Sequence, residues 1–201
     1  MSGFDGGTPP PAGQTHIYSQ AVRWGAVALL LLIPAFAGAA ALDNRLARHP
    51  SPYLALHGSD PVAWQEWNTE TVARAKRENK LLFVSVGYFA CHWCHVMQRE
   101  SYKNAQIAAQ LNRDFIPVKV DRELNSGLDD ALQNFSAQLS GVSGWPLNAF
   151  VTPEGYPVFV VLYAPPDDFG KQLNHLARRW VADRAGIRAL ARQAAPPPAR
   201  Q

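Results

Sequence analysis

The sequence predicts an α/β fold, a central mixed sheet of about four strands flanked by helices, and three observations predict it. Short apolar runs of strand composition alternate with amphipathic helical segments from residue 68 to residue 141. Two further apolar runs follow at 146–163, separated only by a Pro-Glu-Gly turn, the pattern of a hairpin. A chain of 201 residues with 47% hydrophobic and 17% charged content fills one ordinary core, leaving about 50 residues for targeting or tails.

The elements follow in order. Residues 43–61 are irregular, because Pro50, Pro52, Gly58 and Pro61 prevent a long helix. Asn68 caps a helix over "TETVARAKREN", whose Val72 and Ala75 share a face. "LLFVSV" at 81–86 is a strand buried on both faces and ends at Gly87. After the cysteine cluster, "VMQRESY" and "NAQIAAQLNRDF" read as helix, the second piece capped by Asn104 with Ile107 and Leu111 four apart. "FIPVKVD" at 115–121 is the next strand, and residues 127–141 form a helix closed by Gly141. The hairpin comes next, then one amphipathic helix from Asp167 to Ala194 and a tail, "PPPARQ". Early alternation requires right-handed crossovers and parallel pairing, whereas the late hairpin requires an antiparallel edge. That combination is the thioredoxin architecture.

Residues 1–23 are rich in Gly, Pro and Ser without apolar period and read as disordered. Trp24 to Leu42 is an uncharged 19-residue run behind Arg23, with leucines first and small residues in A-x-A arrangement after them. It reads as a secretory signal with its cleavage site or, being just long enough to span a bilayer, as an uncleaved anchor in the inner membrane. The domain plan is therefore 1–42 for the disordered start and the export segment, 43–67 for an extension packed on the domain, 68–194 for the domain itself and 195–201 for a disordered tail. A periplasmic or otherwise extracytoplasmic site is expected, where oxidised cysteines persist. The net charge of +3 is concentrated: residues 171–201 carry +6 and the rest −3. A basic terminal helix is a solvated face, so no nucleic-acid partner is expected.

Both cysteines and two of the six histidines lie within five positions, Cys91-His92-Trp93-Cys94-His95. Four chemistries share this pattern. A structural disulfide across four residues constrains the unfolded chain little. C-x-x-C-H is also a haem attachment motif, but here it follows a buried strand at a helix start, with only a distant histidine such as His57 or His175 as sixth ligand. A zinc or copper site from Cys91, Cys94, His95 and His57 lacks a second ligand pair in the sequence. A redox dithiol explains more of the surroundings and calls for no cofactor and no metal. A cysteine at a helix N-terminus faces unpaired N–H groups that stabilise its thiolate. Cys91 then attacks, Cys94 resolves, His92 stabilises the Cys91 thiolate, and His95 exchanges protons with Cys94.

"NRLARHPSPYLALHGSDPVAWQEW", "ARAKRENKLLFVSVGYFACHWCHVM", "FIPVKVDRE", "SGWPLNAFVTPEGYPVF" and "YAPP" resemble, in order and spacing over residues 44–166, the thioredoxin-like domain of the spermatogenesis-associated protein 20 family. The resemblance implies a thioredoxin fold with Cys91 and Cys94 at the active position. It also makes Pro146 similar to that superfamily's cis-proline, leaving the Trp145 backbone to pair with an extended substrate. Trp93, Trp145 and Tyr88, with Phe89, would line an apolar groove, although Tyr88 and Phe89 suit ordinary packing equally well. Members of that family generally continue into a large helical toroid and lack so clear an export segment; this chain resembles a stand-alone, exported relative. Where thioredoxins carry a buried Asp six residues before the first cysteine, this chain has Ser85. A hydroxyl is no base near neutral pH, so His95 or Glu100 is expected to substitute, with Asp121 capping a turn. "SPYLALH" and "PVAWQEW" carry no chemistry legible by themselves, and His57 suits packing better than a place beside the dithiol.

The expected activity is thiol–disulfide exchange with protein or small-molecule thiols and disulfides, the redox partner protein being unspecified. Its rival is a thioredoxin-fold adaptor whose aromatic groove holds a peptide without redox turnover.

Overall fold

In the computed structural model, which describes Gly7 and residues 41–194, a four-stranded sheet runs in the order β2-β1-β3-β4. The strands are β1 (Leu82–Gly87), β2 (Ile116–Asp121), β3 (Leu147–Val151) and β4 (Pro157–Val161). β1 and β2 are parallel, with Ser85 opposite Lys119 and Gly87 opposite Asp121. β1 and β3 are antiparallel, as are β3 and β4. β1, β2 and β3 are buried along their whole length, the polar Ser85, Lys119, Asp121 and Asn148 included. Residues 24–40 of the expected export segment and the tail at 195–201 lie outside the described residues; among those described, no helix is long and apolar enough to cross a membrane.

The helices are α1 (Pro52–Leu56), α2 (Thr69–Glu78), α3 (His92–Met97), α4 (Ala105–Asp114), α5 (Ser126–Ser140), α6 (Pro166–Ala182) and α7 (Arg184–Ala194). Side chains set their boundaries. Asn68 accepts from the Thr71 amide and opens α2, and Asn79 closes it in the left-handed conformation at φ 53°. Asn104 accepts from the Gln106 and Ile107 amides at the start of α4.

Three elements differ from the sequence expectation. The stretch 43–61, expected to be irregular, holds the one-turn helix α1, which the Ser51 hydroxyl opens by accepting the Leu54 amide and whose proline stands at the first position. The single helix expected from Asp167 to Ala194 is broken at Asp183, whose Oδ1 accepts the Gly186 amide at 2.9 Å and so ends α6 and caps α7; a short acidic side chain competes with the helical ladder for backbone donors. Between α3 and α4, residues Gln98–Tyr102 form a π-helical turn. The widened turn puts Gln98, Ser101 and Tyr102 all on the buried side.

The proline-rich stretch before α2 is integral to the core. Leu46, Tyr53, Val62 and Trp64 are almost wholly enclosed against Phe83, Tyr102 and Phe150. Gln65 then pairs with the edge strand: its amide donates to the Pro117 carbonyl and its carbonyl accepts the Lys119 amide. That single bridge shields the middle of the outer edge of β2, while the Ser51 hydroxyl, donating to Asp121 at 2.6 Å, holds the stretch at the end of the sheet where β1 gives way to the cysteines.

Candidate active site

β1 ends at Gly87, and residues 88–90 lead directly to Cys91, the N-cap of α3. Cys91 and Cys94 are joined in a disulfide with their Cα atoms 5.3 Å apart, a separation normal for such a bond. Cys91 Sγ also accepts the Cys94 amide at 3.2 Å. A thiolate at that position gains the same donor, so opening the bond leaves Cys91 as the better stabilised sulfur. Cys91 keeps 4% of its surface exposed and Cys94 1%. Access from solvent is therefore to Cys91, past a rim formed by Phe89 and Trp93, which are 57% and 51% exposed.

On the other side of the rim, Leu147 of β3 is paired with Val86. This register brings the cis Trp145–Pro146 bond to the end of β1 from which the cysteine loop departs. Trp145 is fastened there: its indole N–H donates to Asp129 at 2.9 Å, Arg122 lies 4.1 Å over its ring and pairs with Asp129 at 3.3 Å, and Tyr88 meets it edge-on at 5.6 Å. Trp93 lies against Tyr163 with ring centres 4.8 Å apart. Trp93, Tyr88, Trp145 and Pro146 thus share one end of the sheet with the disulfide. Their placement leaves an aromatic-lined surface beside a strand start.

The histidines of the motif have partners of their own. His92 is exposed and stacks edge-on against Trp93. His95 Nε2 bonds to the Phe89 carbonyl at 2.7 Å; a carbonyl only accepts, so Nε2 carries the proton. Glu100 is an exposed acceptor for the Tyr163 hydroxyl at 2.6 Å. Asp121 accepts the Glu123 amide and the Ser51 hydroxyl, which is the turn-capping role.

Beneath the disulfide lies a polar cluster that the sequence does not announce. Lys119 is wholly buried, its Nζ donating to Ser85 Oγ at 2.8 Å and standing 4.9, 5.2 and 5.4 Å from the ring centres of Tyr102, Tyr53 and Trp64. Burial pulls its pKa from 10.5 to about 7, against the upward pull of Asp60. The Tyr102 hydroxyl donates to Asn148 Oδ1 at 2.7 Å, so at the 2.9 Å contact between Ser85 and Tyr102 the serine must be the donor. The result is one directed chain, Lys119 to Ser85 to Tyr102 to Asn148. Asp60 accepts from His57, Trp64 and Gln98 at 2.7, 3.0 and 2.9 Å. Burial raises the Asp60 carboxyl, but the hydrogen bond and charge of His57, followed by the bonds from Gln98 and Trp64, outweigh it and hold the pKa below the usual value. Burial and the Lys119 charge lower His57 to about 4. His57 is therefore neutral, with its Nδ1–H on Asp60, and its Nε2 is buried with no partner among the described residues. Also among the described residues, no three of His, Cys, Asp and Glu converge to hold a metal ion.

Residues 43–67 supply Tyr53, His57, Asp60 and Trp64 to this cluster. The available sequence signal was Lys119 itself, a lone cation between Val118 and Val120 in the strand expected at 115–121.

Fold and site together define a thioredoxin-fold protein with a C-x-x-C pair at a helix start. The chain belongs to the family described as "Thioredox_DsbH: Protein of unknown function, DUF255", whose pattern matches residues 43–195. It is 42% identical over 143 residues to "Uncharacterized protein B0495.5" of Caenorhabditis elegans, a match covering 68% of this chain and 20% of that one. It is 44% identical over 127 residues to human Spermatogenesis-associated protein 20, covering 63% of this chain and 16% of that one. The chain thus spans a fifth or less of the length of these curated relatives. Similar solved structures include a "DsbH Oxidoreductase" at 18% identity and TM-score 0.46, covering 58% of this chain and 85% of that one. A thioredoxin from Thermus thermophilus is similar at 20% identity and TM-score 0.44, covering 56% and 85%.

Proposed function

We propose that this chain is a thiol–disulfide oxidoreductase of the cell envelope that exchanges disulfides with protein or small-molecule thiols. The observation that carries the reading is the position of Cys91: it caps α3, accepts the Cys94 amide, and is the less enclosed of the two bonded cysteines beside the exposed Phe89 and Trp93. In the reducing direction, the Cys91 thiolate attacks one sulfur of a partner disulfide. The partner S–S bond breaks, one partner sulfur leaves as a thiolate, and a mixed disulfide with Cys91 forms. Cys94, one turn further on, attacks Cys91 Sγ, and the second partner sulfur leaves. Two electrons pass from the dithiol to the partner, and the oxidising direction is the reverse. An extended partner segment fits beside Trp145 and Pro146, with Trp93 and Tyr88 supplying apolar contacts. The envelope location is supported by the uncharged run at 24–42 behind Arg23.

Reduction of insulin disulfides by the purified protein with dithiothreitol tests the reading. Activity that disappears in Cys91→Ser is the expected result; equal activity in that variant removes the reading and leaves peptide binding by the aromatic rim as the alternative.

A further inference from the structure

The Tyr53 hydroxyl is buried and has no hydrogen-bond partner among the described residues. Burial without a partner costs stability, and phenylalanine would fill the same space without that cost. The hydroxyl has a specific neighbour. A Cβ built on Gly87 would collide with both Tyr53 Oη and Cys94 Sγ, so the two atoms stand side by side over the bare glycine backbone. A disulfide sulfur is only a weak acceptor and makes little use of a donor. In the dithiol state the demand changes, because Cys94 must become a thiolate to displace the partner from Cys91, and a buried thiolate needs donors around it. Ser85 is not available, since its proton is committed to Tyr102.

We propose that the proline-rich extension completes the redox centre: Tyr53, held over Gly87 and backed by Lys119, donates its hydroxyl proton in a hydrogen bond to the Cys94 thiolate during resolution. This rests on the disulfide-exchange reading above. Tyr53 is thereby a positioning residue for Cys94 and absorbs the otherwise unexplained "SPYLALH" stretch. In the step itself, Cys94 loses its proton, its sulfur bonds to Cys91 Sγ, the mixed disulfide breaks, and the departing partner thiolate takes up one proton, so charge and electrons balance.

The charged surroundings favour this arrangement. Tyr53 is faced by Asp60 and His57 from the turn after α1, by Tyr102 from the π-helical turn, and by Lys119 and Asp121 from β2. Burial first, then Tyr102, Asp121 and Asp60, raise the Tyr53 pKa well above its ordinary value, so the hydroxyl remains a donor throughout the working range. Lys119, 5.2 Å from the Tyr53 ring centre, supplies positive charge on the same side of the sheet.

The test is single-turnover reaction of the reduced full chain with 5,5′-dithiobis(2-nitrobenzoate) in a stopped-flow instrument. The first thionitrobenzoate released reports attack by Cys91, and the second reports resolution by Cys94. In Tyr53→Phe the first phase should stay within about twofold, whereas the second should slow about tenfold and shift its pH midpoint up by about one unit. Lys119→Met should move the same midpoint in the same direction. Thermal melting of oxidised Tyr53→Phe should equal or exceed wild type, because the lost hydroxyl has no partner there. An unchanged second phase and midpoint in Tyr53→Phe would overturn the proposal while leaving the exchange reading intact. A wild type that releases no thionitrobenzoate overturns both.

Discussion

The outer and inner sides of the disulfide are built by opposite means. The outer side is local: Phe89, Cys91, His92 and Trp93 come from five consecutive positions, and their spacing alone puts Cys91 at the head of a helix. The inner side is assembled from afar, with Tyr53, His57, Asp60 and Trp64 from the proline-rich stretch, Ser85 and Lys119 from adjacent strands, and Gln98 and Tyr102 from the π-helical turn. The outer side is partly exposed, whereas the inner groups are enclosed. On the proposed exchange reading, attack depends on a short motif, while resolution by the second sulfur depends on the packing of the whole domain.

This contrast can be broken most forcefully at the outer side. Cys91→Ser should lower insulin reduction by about a thousandfold or more, since no other group replaces a nucleophile, while the urea midpoint of the reduced protein changes little. At the inner side stability should respond instead. Trp64→Ala removes a wholly buried ring and one donor to Asp60, and should cost about 3–5 kcal/mol in urea unfolding.

The inner cluster also predicts a pH signature. Lys119 has a folded pKa near 7 against an ordinary 10.5, so between those values the unfolded chain binds more protons than the folded one. Stability must then rise from pH 7 toward pH 10, on the order of a few kcal/mol. His57, lowered to about 4, adds a separate rise from pH 4 to about 6.5 by the same sign. In Lys119→Met the upper rise should vanish while the lower persists, as read from urea midpoints of the oxidised protein. Gly87→Ala sharpens the comparison at the boundary of the two sides. The added methyl meets Tyr53 Oη and Cys94 Sγ, and should cost about 1–3 kcal/mol. Asp183→Ala, remote from both sides, removes only the cap of α7 and should cost about 1 kcal/mol.

Legibility followed the same division. The alternation of strands and helices, the hairpin and the caps at Asn68, Asn104 and Gly141 were readable because each is a local signal with a local cause. So was the C-x-x-C at a helix start, and the placement of Pro146 followed from the family resemblance. The break at Asp183 was hidden because an acidic residue on an amphipathic helix reads as solvated surface until its side chain is seen taking the Gly186 amide. The π-helical turn was hidden because "VMQRESY" satisfies an ordinary helix equally well. The inner cluster was the least legible part. No periodicity links Tyr53, Lys119 and Tyr102; only the parallel register of Ser85 with Lys119 and the folding of the proline-rich stretch over β1 bring them together. Ser85 looked like a missing acid, whereas the structure uses it as a link in a chain that begins at Lys119.

The central claim is that Cys91 is the attacking sulfur. It is tested most directly by intact-mass measurement of reduced Cys94→Ser and Cys91→Ser after brief treatment with 5,5′-dithiobis(2-nitrobenzoate) at neutral pH. The account predicts rapid, complete addition of one thionitrobenzoate to Cys94→Ser and slow addition to Cys91→Ser; faster labelling of Cys91→Ser would contradict it.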